Sequence, residues 1–189
     1  MSASPRRAAY LATPAAAQPA SRPRVHRRRF RPAALLAGLA GVLASLALQA
    51  AEPADFDAQR WAALLREPAP AVVVFTTTDC AHCPAAIDRI ASHLKAERRA
   101  GRPAARLDVV VMDGAEQPDA VATEPHYRLA DRLFVFDGQA ARVRRSVNPA
   151  WFGQTPYVAL LATPLAGSAV IQPRFVSGAP SNTDLGSLR

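Results

Sequence analysis

The chain has little cysteine, histidine or methionine, and this scarcity limits its chemistry. Among 189 residues there are two cysteines, four histidines and two methionines. Two cysteines exclude a framework of several disulfides, and histidines without finger-like spacing argue against zinc, which needs four ligands. A c-type haem attachment requires histidine directly after the second cysteine, where this chain has Pro84. We predict neither a metal nor another cofactor.

Acidic residues are absent from the first fifty positions, which hold eight of the 23 basic residues. The rest of the chain therefore balances 15 basic against 15 acidic residues, and the net charge of +8 belongs to the N-terminal segment. No basic stripe with interleaved aromatic side chains follows, so nucleic acid is not a predicted partner.

The apolar run after this basic segment is short for a membrane-spanning helix. Residues 33–48 are apolar except for Ser45, a length of 16 residues, whereas a spanning helix needs about 20. A basic segment followed by such a run is typical of a secretory signal, and Ala50 and Ala51 permit cleavage there. We predict a periplasmic protein, with residues 33–51 either removed or kept as an inner-membrane anchor. Arg27, Arg28 and Phe30 also resemble a twin-arginine signal, and the export route stays open.

Residues 52–189 are predicted to form one α/β domain, with residues 1–51 as basic segment plus signal. Asp55 or Asp57 is expected to cap a short helix, a second helix to begin near Ala81, and a third to span 140–147. Alternating strands and helices predict a central mixed sheet of about four to five strands flanked by helices. Its strands are expected at residues 71–75, 107–112, 133–136, 157–162 and 169–176, with Pro164 and Gly167 in a hairpin loop before the last.

Cys80 and Cys83 lie between the first of these strands and the N-terminus of a helix. A disulfide across two intervening residues closes a small loop and stabilises the fold little. The unpaired N–H groups and positive dipole end of a helix favour a thiolate over a thiol. The sequence therefore predicts Cys80 as the attacking thiolate and Cys83 as the resolving thiol.

Two neighbours of Cys80 are expected to tune its pKa in opposite directions. An imidazolium at His82 would lower it, whereas a carboxylate at Asp79 would raise it. A copper carrier using Cys80, Cys83 and Met112 remains an alternative, because soft sulfur ligands suit Cu(I). A purely structural disulfide is another. His93 and His126 are expected at the surface.

The strand before the cysteines, the Cys80-Ala81-His82-Cys83 turn, the following helix and Thr155-Pro156 before a strand resemble the thioredoxin superfamily over residues 70–178. Residues 113–149 resemble the insertion of its TlpA and ResA branch, whose members are exported or membrane-tethered thiol-disulfide oxidoreductases. The resemblance implies that Pro156 is a cis-proline facing the disulfide and that Thr155 offers backbone groups to an extended substrate.

This chain departs from the family pattern at three places. Asp79 replaces the usual tryptophan before the first cysteine, Val74 replaces the buried acid of thioredoxin, and the closing helix is short or absent, with Leu185 and Leu188 as its packing residues. The Ala-His dipeptide between the cysteines is closer to the Pro-His of the periplasmic oxidant DsbA than to the Gly-Pro of thioredoxin.

We therefore expect an enzyme that exchanges disulfides with cysteine pairs of exported proteins. A reductive role would also require an inner-membrane electron-transfer partner, since the periplasm is kept oxidising. The branch resemblance implies apocytochrome c as one client. The direction of electron flow and the oligomeric state stay open, and the rival class is a copper-binding or partner-binding protein without exchange activity.

Overall fold

A computed structural model describes residues 52–163 and 170–188. The predicted export signal, and the hairpin loop at Pro164 and Gly167, lie outside these residues. Within the described part, no helix combines the length and apolar character needed to cross a membrane.

A six-stranded mixed sheet forms the centre of the fold. Its order is β1-β4-β3-β2-β5-β6. The pairs β1–β4, β4–β3 and β3–β2 are parallel, whereas the pairs β2–β5 and β5–β6 are antiparallel. The strands are β1 (Ala54–Phe56), β2 (Ala71–Thr76), β3 (Arg106–Val111), β4 (Arg132–Phe136), β5 (Tyr157–Leu161) and β6 (Arg174–Ser177).

Helices cover both faces of this sheet. They are α1 (Ala58–Leu64), α2 (Cys83–Arg99), α3 (Pro118–Thr123), α4 (Ala140–Val147) and α5 (Asn182–Gly186). One apolar cluster joins the sheet to α2, α3 and α5, and a second joins it to α1 and α4. Successive residues of β2 alternate between the clusters, with Val72 and Val74 in the first and Val73 and Phe75 in the second. The strand predicted at residues 71–75 is therefore present, and it is buried on both faces.

The order of these elements confirms the predicted thioredoxin-like fold. A parallel β2-α2-β3 unit carries the cysteines at its strand-to-helix turn, and an antiparallel pair β5–β6 follows on the other side of β2. Strand β4, from the segment predicted to be an insertion, lies between β3 and β1. Helix α4 occupies the predicted residues.

Several predicted boundaries are wrong. The sheet has six strands, because Ala54–Phe56 pairs with β4 before α1 begins; Asp57, one of the two predicted caps, caps α1 by accepting from the Arg60 N–H at 2.7 Å. Helix α2 begins at Cys83, two residues after Ala81, because His82 occupies the N-cap. Strand β6 starts only at Arg174.

The segment between β3 and β4 is helical in three places. It contains α3 and two 3₁₀ turns, at Gly114–Glu116 and Tyr127–Leu129. The closing element is a five-residue helix, α5, with a reciprocal capping box between Ser181 and Asp184. Leu185 and Leu188 pack into the first apolar cluster, as expected for this short end.

Candidate active site

The two cysteines form a disulfide at the carboxyl end of β2. The Cys80–Cys83 Cα atoms are 5.4 Å apart. The Cys80 N–H donates to the Thr77 carbonyl and the Cys83 N–H to the Cys80 carbonyl, both at 3.2 Å. Two consecutive turns therefore carry the chain from the strand into α2.

The two cysteines differ in accessibility. Cys80 is half-buried in the turn, whereas Cys83, the first residue of α2, is fully buried. A reagent or client approaching from solvent therefore reaches Cys80 first.

The N-terminus of α2 is electrostatically uncompensated. No acidic residue lies in its first turn, the His82 side chain makes no capping hydrogen bond, and Pro84 contributes no N–H. The opposite end carries Arg98 and Arg99, which suit the negative end of the dipole. The positive end is thus left to act on charge that develops at the cysteines.

His82 and Asp79 flank the cysteine turn at the surface. Both are exposed. Within the described residues, neither side chain makes a hydrogen bond or an ion pair. Their effect on Cys80 would be through space, and each remains accessible to a client.

Thr155 and Pro156 reach the same edge of the sheet as the cysteines. The Thr155–Pro156 peptide bond is cis. Phe75 of β2 lies opposite Tyr157 of β5, so Pro156 continues the ladder beside Thr76, the last residue of β2. Pro156 is buried, and its carbonyl accepts from the Gly178 N–H at 2.8 Å.

The loop before Pro156 is fixed by the aromatic core. Trp151 stacks on Tyr157 with ring centroids 4.6 Å apart and contacts Phe75 at 4.9 Å. Its indole N–H donates to the Gln154 carbonyl at 3.0 Å. Trp61 is also buried, so both tryptophans belong to the core. Phe152, next to Trp151, is 89% exposed.

The segment that leads from β2 to Cys80 is held by contacts that the sequence did not reveal. The Asp113 carboxylate accepts from the Thr78 N–H at 2.9 Å and from the Thr78 hydroxyl at 2.7 Å. The Tyr127 hydroxyl donates to the Thr77 carbonyl at 3.4 Å. The signal was the position of Asp113 two residues after β3, because neighbouring parallel strands end at the same edge of a sheet.

Tyr127 is a buried phenol in an acidic neighbourhood. Burial raises the pKa of Tyr127, and the charges of Asp113, Glu124 and Asp79 raise it further, against a lowering hydrogen bond with Thr76. The phenol therefore stays protonated at neutral pH. A cavity of about 180 Å³ lies beside it, lined in part by Thr78 and Asp113.

His126 is less exposed than predicted. Its side chain is only 20% exposed, it lies 3.0 Å from Glu124, and its ring packs on Tyr127 with centroids 4.0 Å apart. His93 is half-buried on α2.

Val74 stands where thioredoxin has a buried acid, and the buried acid Asp108 of this chain lies on the other face of the sheet. Asp108 lies opposite Val73 in the register of β2 and β3 and is fully buried. Both of its carboxylate oxygens accept hydrogen bonds from Arg106 and Arg132, at 2.7 to 3.0 Å. Since the arginines occupy this carboxylate, it does not replace the proton acceptor of thioredoxin.

Metal ligands are not gathered at the cysteines. Among the described residues, no group of three or more His, Cys, Asp or Glu side chains is placed to hold an ion. Met112 packs against the cluster of α1 and α4, whereas α2 lies on the other face. This placement disfavours Met112 as a third sulfur ligand.

Comparisons with known proteins found no matching family model and no matching curated protein. Among solved structures, a secreted Mycobacterium tuberculosis disulfide oxidoreductase homologous to Escherichia coli DsbE matches at TM-score 0.44 and 19% identity, over 67% of this chain and 83% of that one. The reduced N-terminal domain of PilB from Neisseria meningitidis matches at TM-score 0.43 and 14% identity, over 70% and 89%. A thiol:disulfide interchange protein from Bacteroides matches at TM-score 0.38 and 17% identity, over 57% and 66%. Matches of this strength carry no inference about activity, which has to come from the side chains of this chain.

Proposed function

We propose that this chain is a periplasmic thiol-disulfide oxidoreductase that exchanges disulfides with cysteine pairs of other exported proteins. The observation that carries the proposal is the Cys80–Cys83 disulfide at the head of α2, with one cysteine half-buried and the other fully buried. A bond spanning two residues constrains little chain, so its chemistry outweighs its value to stability.

The exchange proceeds in two displacements. In the reduced protein, the Cys80 thiolate attacks one sulfur of a client disulfide, forms a mixed disulfide and releases the other client sulfur as a thiolate. Cys83 then loses its proton and attacks the Cys80 sulfur, which releases the second client thiolate and closes the Cys80–Cys83 bond. The client gains two electrons that the enzyme loses, and the same steps in reverse oxidise a client dithiol.

The surroundings of Cys80 support a reactive thiolate. The uncompensated N-terminus of α2 favours negative charge at the turn, and a protonated His82 would add to this effect. Asp79 opposes it, since a carboxylate disfavours a second negative charge nearby. Both residues are proposed to tune the pKa of Cys80.

Thr155 and Pro156 are proposed to bind the client. No backbone hydrogen bond of Thr155 is present within the described residues, so its N–H and C=O are free for an extended segment. Pairing of this kind supplies main-chain hydrogen bonds whatever the client sequence. The pairing of Phe75 with Tyr157 supports this proposal, because it brings Pro156 to the end of the sheet from which the cysteine turn starts.

The N-terminal segment motivates the proposed location. Residues 1–51 would direct export and be removed, or keep the domain tethered to the inner membrane, and residues 52–189 would form the catalytic domain. If the protein reduces its clients, an inner-membrane electron donor is needed, and apocytochrome c is one candidate client.

Exchange activity and copper binding can be tested on the same preparation. We expect the wild-type protein to turn over a disulfide-containing client peptide, and Cys80→Ser to lose all turnover. Cu(I) titration of both proteins tests the rival, in which tight binding without turnover would refute the proposed enzyme. A reduction potential of about −270 mV would identify a reductant, and a potential of about −120 mV would identify an oxidant.

A further inference from the structure

The carboxylate of Asp113 is hydrogen-bonded to the loop that leads into the cysteine turn. It accepts three hydrogen bonds from Thr78, two from the N–H at 2.9 and 3.2 Å and one from the hydroxyl at 2.7 Å. The two residues are 35 positions apart in sequence. The contact therefore joins the loop after β3 to the loop that follows β2.

The sheet register explains why these loops meet. Thr76 lies opposite Val111 at the ends of the parallel strands β2 and β3, and the Met112 N–H donates to the Thr76 carbonyl at 2.9 Å. Thr78 and Asp113 each follow two residues later. Because the Cys80 N–H donates to the Thr77 carbonyl, fixing Thr78 also fixes the turn that presents Cys80.

Charge at this edge is mostly negative. Asp79, Asp113 and Glu124 all act on Tyr127, whose hydroxyl donates to the Thr77 carbonyl. His126 lies against Glu124 on the same side. His82 and the N-terminus of α2, which carries no acidic residue in its first turn, act on Cys80 in the opposite direction.

We propose that Asp113 is a positioning residue for the exchange reaction, in which Thr78 both fixes the cysteine turn to it and screens its charge from Cys80. The proposal rests on the proposed function, because it concerns the reactivity of the same cysteine. The thiolate at Cys80 and the carboxylate of Asp113 repel each other, and the two Thr78 donors draw the carboxylate charge towards themselves. Asp113 therefore sets geometry and charge together.

Charge and geometry are separated by two substitutions with opposite expected effects. Asp113→Asn removes the negative charge, so it lowers the pKa of Cys80 and raises the thiolate fraction at pH 7, by about twofold if the charge acts across roughly 10 Å of water. Thr78→Val removes the screening hydroxyl but keeps the charge, so it raises the pKa of Cys80. Thr78→Ser keeps the hydroxyl and restores the wild-type value. Asp119→Asn is the matched control, because Asp119 is exposed on α3 and its side chain makes no described contact.

The measurement is the alkylation rate of Cys80 as a function of pH in each reduced variant, with circular dichroism to verify folding. Opposite shifts for Asp113→Asn and Thr78→Val, with no shift for Asp119→Asn, support the proposal. Shifts in the same direction would reveal a merely structural contact, and unchanged values in both variants would also refute it. A wild-type Cys80 that titrates like free cysteine and turns over no client would instead refute the proposed function.

Discussion

Asp108 is expected to be a large contributor to stability although it lies away from the cysteines. Its side chain is fully buried, and it accepts four hydrogen bonds from Arg106 and Arg132. Glu67 also pairs with both arginines, at 2.7 and 3.1 Å. Burial alone would lower the pKa of Arg132, but its hydrogen bonds with Asp108 and Glu67 outweigh that effect and raise it. These four charged residues therefore form an ion-pair network at the end of the sheet that is opposite the cysteines.

The cost of Asp108→Ala follows from this arrangement. Removing one partner of a buried ion pair costs about 3 to 5 kcal/mol. Arg106 and Arg132 are 22% and 32% exposed, and Glu67 would still pair with both. Solvent screening therefore reduces the expected loss to about 2 to 3 kcal/mol. For a chain of this length, that loss lowers Tm by about 5 to 10 °C.

Thermal and urea denaturation, followed by circular dichroism, measure this loss. Asp88→Ala is the matched control, since Asp88 is exposed on α2 without a described ion pair. Client turnover at 25 °C should stay at the wild-type level in Asp108→Ala, because the network does not contact the cysteine turn. A Tm within about 1 °C of wild type, or a loss of turnover in folded protein, would refute this reasoning.

Three further predictions concern the client, its docking and the C-terminal helix. Cys83→Ser should accumulate a mixed disulfide between Cys80 and the client on non-reducing gels; its absence would contradict the resolving role. Phe152→Ser should raise KM several-fold without changing Tm, because Phe152 is 89% exposed in the loop before Pro156; an unchanged KM would exclude client contact there. Hydrogen bonds from Arg174 and Ser181 lower the pKa of Asp184 to about 2. The resulting stabilisation is present above the ordinary value of 3.8 and is lost as pH falls through about 2. Hydrogen exchange in α5, corrected for the intrinsic rate, should therefore quicken over this range in wild type but not in Asp184→Asn, and an equal response in both would contradict the assignment.

Much of the fold could be predicted because its signals are local. The continuous β-branched run of β2 indicates a strand buried on both faces, and Pro156 marks the start of β5. Strand β1 gave no such signal. Its three residues form a strand only because they pair with β4, some 80 positions away along the chain. The apolar periodicity of a short segment cannot predict a pairing with a strand so far away in the sequence.

The site was only partly accessible to sequence reasoning for the same reason. Cys80 and Cys83 are neighbours in sequence, and their position before a helix was sufficient to predict a redox-active pair. Asp113 and Tyr127 reach the cysteine turn only because the parallel register brings the ends of β2 and β3 together. In the sequence, Asp113 and Gly114 indicate only the end of a strand, since an Asp-Gly pair is typical of a turn.

The most direct test of the account is the pH dependence of iodoacetamide alkylation in the reduced wild-type protein, with the modified cysteine identified by mass spectrometry. We expect Cys80 to react first and fast, with a midpoint well below the value of about 8.5 that is typical of free cysteine. Slow reaction with a midpoint at that value, or preferential modification of Cys83, would contradict it.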